Sequence, residues 1–106
     1  MIFELRQYRL KPGQREHWVK WMEEKIIPYQ VALGVVIIGS FIAEEDPDLY
    51  VWIRRFESEQ ERQRQYAEMY ESTTWLNEIK PVNDTMIIRE KIQVTRLLAT
   101  PKSVIH

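Results

Sequence analysis

Glu4, Arg6 and Tyr8 set a carboxylate, a guanidinium and a phenol on one row of the alternating stretch Phe3-Glu4-Leu5-Arg6-Gln7-Tyr8-Arg9-Leu10, which breaks on Lys11-Pro12-Gly13. Successive side chains of a strand point to opposite faces, so these three share a face. Together they could bind and polarise a carbonyl or carboxylate, with arginine as fixed cation, glutamate as base and tyrosine as acid or hydrogen-bond donor. The structural alternative is a buried ion pair that fixes the register of an assembly.

Other candidates are sparser. His17 is the only histidine besides the terminal His106. It falls in the first turns of a helix, where a solvated histidine is the ordinary case and a ligand role follows only from imidazole titrating near neutral pH. With no cysteine and no spaced carboxylate cluster, no metal-ligand set forms around it, and no cofactor is expected. Tyr50, Trp52 and Phe56 share one face of a strand and could stack bases as the aromatics of RNA-recognition modules do. Yet Tyr50-Val51-Trp52-Ile53-Arg54-Arg55-Phe56 lacks the glycine of that motif, and the formal charge is -1, so nucleic acid is not an expected partner.

These residues are carried by 106 positions, enough for a single domain with one core, with a tail from about Arg96. Fifteen basic against sixteen acidic side chains create no long-range field for nucleic acid or an anionic membrane. The absence of cysteine suits a reducing cytoplasm, which is the expected location. The first residues enter a strand bearing Glu4 and Arg6, unlike a secretory signal, and the apolar run Val31 to Ala43 is too short to span a bilayer.

Strand 1 is expected over Ile2 to Leu10, and a helix over Gln14 to Leu33 whose apolar face includes Trp18, Trp21, Met22, Ile26 and Tyr29. Pro28 predicts a kink or early stop, and Gly34 a left-handed cap. Strands 2 (Val35 to Glu44, with a bulge near Gly39) and 3 (Leu49 to Phe56) form a hairpin about Glu45-Asp46-Pro47-Asp48. Ser58-Glu59-Gln60-Glu61 has the spacing of a capping box opening a second helix to Tyr70, expected to be wet on one side. A short helix from Thr74 to Lys80 should end at Pro81, before strand 4 over Asp84 to Thr95. The order β-α-β-β-α-β is the split βαβ of ferredoxin-like folds, an antiparallel α+β sheet with its helices on one face.

Such a sheet should have one wet face, but strands 2 and 3 are apolar on both. Helices cover one face; a second copy of the sheet, packed across a two-fold axis, would cover the other and bury on the order of 800 Å² per partner. On this scheme Phe3 and Leu5 face the helices, while Glu4, Arg6 and Tyr8 face the space between the sheets.

Glu4-Leu5-Arg6-x-Tyr8-x-Leu10-Lys11-Pro12-Gly13 and Trp75-Leu76-x-x-Ile79-Lys80-Pro81, with the apolar third strand around Trp52, resemble the NIPSNAP family over about Phe3 to Glu90. The resemblance implies a dimeric α+β barrel of two ferredoxin-like subunits enclosing a cavity. The wider superfamily spans cofactor-free monooxygenases, isomerases, haem-degrading enzymes and stress proteins, so membership selects no chemistry. The expectation is a homodimer binding a small organic molecule in the inter-sheet cavity, lined by Glu4, Arg6, Tyr8, His17, Trp52, Arg54 and Arg89, with cofactor-free catalysis open and higher oligomers allowed. The alternative is a non-catalytic dimeric interaction scaffold whose inter-sheet space is closed and filled by its own side chains. A solvent-connected pocket touching Arg6 would favour the first.

Overall fold

Strand β1 (Ile2–Arg9) leads through Gly13, at φ +80°, into helix α1, which spans residues 15–32 of the computed structural model; all 106 residues are described. Trp18, Met22 and Ile26, one turn apart, are buried along α1 and anchor it to the sheet. The helix passes through Pro28 instead of stopping there. A π-turn over Met22–Ile26, closed by the Ile27 amide donating to the Met22 carbonyl, inserts an extra residue before the proline. Pro28 then sits in the first turn of the next α segment, where a missing N–H leaves no gap in the ladder. Gly34, at φ +89°, ends α1: its amide reaches Val31 and that of Val35 reaches Gln30, the paired bonds of a Schellman cap.

β2 (Val36–Ile42) and β3 (Leu49–Phe56) form the expected hairpin, and the register slips between Ile37 and Gly39, a bulge beside the anticipated glycine. Helix α2 (Glu59–Tyr70) starts at Ser58, whose Oγ accepts the Glu61 amide at 3.1 Å. Glu61 does not return the favour, because its carboxylate is held by Arg64, so only half the box forms.

Helix α3 occupies residues 75–83 and also runs past its proline. The Lys80 amide donates to the Trp75 carbonyl, the same π-turn device one residue before Pro81. Strand 4 does not begin at Asp84. The amides of Thr85, Met86 and Ile87 are taken by turn bonds to the Val82 and Asn83 carbonyls; the chain then makes one bridge, Leu10 to Ile87, turns through a 3₁₀ segment (Arg89–Lys91), and pairs as β4 only over Gln93–Leu97.

The sheet order is β2-β3-β1-β4 with every pairing antiparallel, a four-stranded ferredoxin-like α+β layer carrying its helices on one face. No helix is long and apolar enough to cross a membrane.

The two faces are the reverse of the expectation. Glu4, Arg6 and Tyr8 lie opposite Arg54, Trp52 and Tyr50, all on the helix-covered side, whereas Phe3 and Leu5 pair with Arg55 and Ile53 on the open side. Burial along β3 alternates strictly, with Tyr50, Trp52, Arg54 and Phe56 enclosed and Leu49, Val51, Ile53 and Arg55 half-exposed. The physical reason is pairing. Arg54 supplies Glu4 with a cation across the strands, the rings of Tyr8 and Tyr50 meet Trp18 of α1 edge to face, and Trp52 meets Tyr8 in the same way, so the polar row is the better-satisfied interior.

Candidate functional site

Between sheet and helices lies a cavity of about 280 Å³. The sheet contributes Arg6, Tyr8 and Trp52 to its wall, α1 contributes Met22, Ile26 and Gln30, α2 contributes Tyr66 and Tyr70, and α3 contributes Trp75 and Asn83. Ile87, Arg89 and Ile92 close the side formed by the segment before β4. Both π-turns therefore border the cavity, through Met22 and Ile26 in one and Trp75 in the other, and each widens its helix where the wall needs room.

A charged cluster forms the floor beside it. Arg54 is fully buried, with Nη2 at 2.7 Å from Glu4 Oε1 and Nη1 donating to Gln30 Oε1 (3.0 Å) and to the Tyr70 hydroxyl (2.8 Å). Its guanidinium also lies over the ring of Trp52, 5.0 Å from the centroid. The Tyr66 hydroxyl sits 2.8 and 2.7 Å from the two Glu4 oxygens. Arg6 donates from Nε to the Tyr8 hydroxyl at 3.0 Å and from Nη1 to that of Tyr66 at 3.3 Å, and lies 3.7 Å from Glu4. Arg62 reaches Glu4 only at 3.5 Å while gripping Glu59.

Burial alone would push the Glu4 carboxyl up; the Arg54 charge, the Tyr66 and Arg54 hydrogen bonds and the Arg6 charge outweigh it and hold it below the usual carboxylate value of 4.5. Tyr66 is pushed up to about 12, chiefly by burial, with Arg54 opposing. Because the folded value of Glu4 is the lower one, the unfolded chain binds the extra proton. The stability from this carboxylate is complete above its unfolded value and drains away as pH falls through the folded one. Glu4→Gln is therefore expected to cost about 1.5–3 kcal/mol at neutral pH. The gap between variant and parent should shrink below about pH 4.5, measured as urea midpoints across the acid range. A gap that stays constant down to acid unfolding would contradict the assignment.

Of the anticipated residues, Arg6, Tyr8, Trp52 and Arg89 line the cavity, and Glu4 and Arg54 lie sealed in its floor. Arg89 arrives with its Nε 2.7 Å from Asp84. His17 is exposed on α1 beside Glu16 and Lys20, away from the cavity, in shallow surface hollows. Tyr66, Tyr70, Gln30 and Asn83 were not anticipated. The i, i+4 spacing of the two tyrosines on an otherwise charged helix was the signal available for them; nothing local marks Gln30 or Asn83. No group of three or more histidine, aspartate or glutamate side chains converges as a metal-ligand set.

Fold and pocket define a ferredoxin-like α+β protein with a partly open, mixed apolar and cationic cavity against its sheet. The NIPSNAP family model matches residues 3–103, and the chain belongs to that family. A NIPSNAP family protein from Agrobacterium tumefaciens superposes with a TM-score of 0.87 at 24% identity, covering 99% of this chain and 98% of that one. A second from the same organism, a NIPSNAP family protein of unknown function, gives 0.85 at 26% identity over 100% and 94%. An antibiotic biosynthesis monooxygenase shares the fold at a TM-score of 0.70 and 16% identity, covering 95% of this chain and 100% of that one. Among curated proteins, none matches this chain.

Proposed function

We propose that this chain is the subunit of a homodimer in which each protomer binds a small organic molecule in the cavity between its sheet and helices. The observation that carries the reading is the cavity itself: about 280 Å³ bounded mostly by apolar and aromatic side chains, with Arg6 and Arg89 in its wall. Binding sites combine apolar walls with a few fixed polar groups in this way. This pocket lies between sheet and helices, not between two sheets where it was expected, and the scaffold alternative, which calls for a closed and filled inter-sheet space, is told apart from it by ligand binding. Arg6 with Tyr8 and Tyr70 can polarise a bound carbonyl without help from a cofactor, so the site is suited to cofactor-free chemistry on such a ligand.

The homodimer is supported by the open face of the sheet, where Leu5, Val51 and Ile53 are half-exposed and Val36, Phe41 and Leu97 are 40–52% exposed. Leu98 and Ile105 of the tail lie beside Phe3, Ile38 and Ile53 and cover only one end of that face. A cysteine-free chain of this kind fits a reducing cytoplasm.

Binding is tested with 2-naphthamide, an uncharged two-ring probe, followed through the indole N–H resonances of the ¹⁵N-labelled protein. Trp52 and Trp75 should shift and saturate, and Ile26→Phe, which adds volume at the wall, should weaken the binding about tenfold. Indole signals that stay still to the solubility limit of the probe would remove the pocket as a binding site.

A further inference from the structure

The hydrogen-bond ledger of the cavity wall points to the kind of molecule it takes. Asn83 is 4% exposed, and its Oδ1 accepts from Trp21 Nε1 at 2.7 Å. Indole nitrogen can only donate, so the oxygen of that amide is the atom turned to Trp21 and its NH₂ is the group left over. Gln30 repeats the arrangement: its Oε1 faces Arg54 Nη1, another pure donor, and its NH₂ is left without a partner in the chain. The Tyr8 and Tyr70 hydroxyls each accept from an arginine, Arg6 and Arg54 respectively, and each keeps an uncommitted proton. Two amides and two phenols in one wall thus each turn an oxygen to a donor-only neighbour and keep an N–H or O–H donor uncommitted.

The strong acceptor nearby is closed off. Glu4 is 1% exposed, with Arg54 and Tyr66 on its oxygens. Charge points the same way: Arg6 and Arg54 share this one buried carboxylate, Glu59 serves both Arg62 and Arg96, and Asp84 serves both Arg89 and Lys80. Cations beside the cavity therefore outnumber their carboxylates, and Arg6, whose side chain is 13% exposed, is the one of the Glu4-sharing pair that lines the wall.

Resting on the pocket being a binding site, we infer that its ligand is a small organic anion with its charge on oxygen, a carboxylate or an enolate on a flat apolar body. The oxyanion takes the place of the missing counter-charge against Arg6 and accepts from the surrounding N–H and O–H groups. A ligand cation would meet a surplus of positive charge beside the cavity.

Calorimetry on the full chain at neutral pH with three matched probes tests this: 2-naphthoate, 2-naphthamide and 2-naphthylmethylammonium. The carboxylate should bind at least about tenfold more tightly than the amide, and the ammonium should give no heat. Arg6→Gln should abolish the advantage of the carboxylate, bringing its affinity to within about twofold of the amide's in the same variant. Asn83→Asp leaves the Trp21 bond intact and puts a carboxylate in the wall; it should exclude the naphthoate and admit the ammonium, which gives an independent readout should Arg6→Gln fold poorly. Equal binding of amide and carboxylate, or binding of the ammonium by the parent protein, overturns the inference while the pocket stands. Binding of none of the three removes the pocket along with it.

Discussion

Arg54→Met is expected to cost about 3–5 kcal/mol of folding stability, the range found when one partner of a buried ion pair is removed. For a chain of this length that is a fall of at least about 12 °C in the unfolding midpoint. The expectation rests on how many groups depend on one guanidinium. Arg54 is wholly buried and donates to Glu4, Gln30, Tyr66 and Tyr70 while lying over four aromatic rings. Methionine keeps the stem and loses every one of those donors, leaving the Glu4 carboxylate enclosed with only Tyr66 and the more distant Arg6 and Arg62. Adding Glu4→Gln should then restore part of the loss, because the uncompensated charge is gone; this coupling separates an ion-pair effect from a simple packing defect. Thermal and urea unfolding of the four proteins completes the cycle. A loss below about 1 kcal/mol for Arg54→Met, or a double variant worse than the sum of its parts, would show that the cluster is not what holds the sheet to α2.

The same cluster explains where sequence patterns ran short. Alternation in β1 and β3 located both strands, and β3 spans the expected residues, since period-two patterns specify which residues share a face. They do not say which face goes inward when both rows are largely apolar. Glu4 and Arg6 look like the outward row until Arg54 is known to lie opposite Glu4, and that register is a long-range fact separated by fifty residues. Ser58, Gly34 and Gly39 were legible because caps and bulges are local. Pro28 did not shorten the helix expected to run to Leu33, and Pro81 misled, because proline chemistry forbids one hydrogen bond but does not forbid a helix that has already inserted a residue ahead of it. Helix α2 looked like a solvated surface, yet Tyr66 and Tyr70 deliver the hydroxyls that let Arg54 be buried at all. Gln30 and Asn83 carry no local signature, since their role is set by donors on other elements, Arg54 and Trp21.

The second large effect concerns the open face. Val51→Glu should convert the proposed homodimer to monomers while leaving each subunit folded. Val51 sits mid-strand on β3, level with Gln7 of β1 and Phe41 of β2, and is half-exposed in the isolated subunit, so a glutamate there meets water when the chain is alone. Across a two-fold axis the same substitution buries two carboxylates against apolar sheet and close to each other, which costs several kcal/mol, about a thousandfold in Kd. Sedimentation at micromolar concentration should report twice the chain mass for the parent and the chain mass for the variant, with unchanged far-ultraviolet dichroism. Gln63→Lys, on the exposed side of α2, serves as a charge control and should remain dimeric. Because the cavity lies under the helices and not between the sheets, the monomeric variant should also keep its indole shifts with 2-naphthamide. A parent protein that sediments as a single chain would mean that Leu5, Val36, Phe41, Val51 and Ile53 stay in water, and the homodimer would be withdrawn; a Val51→Glu dimer would place the contact elsewhere on the molecule.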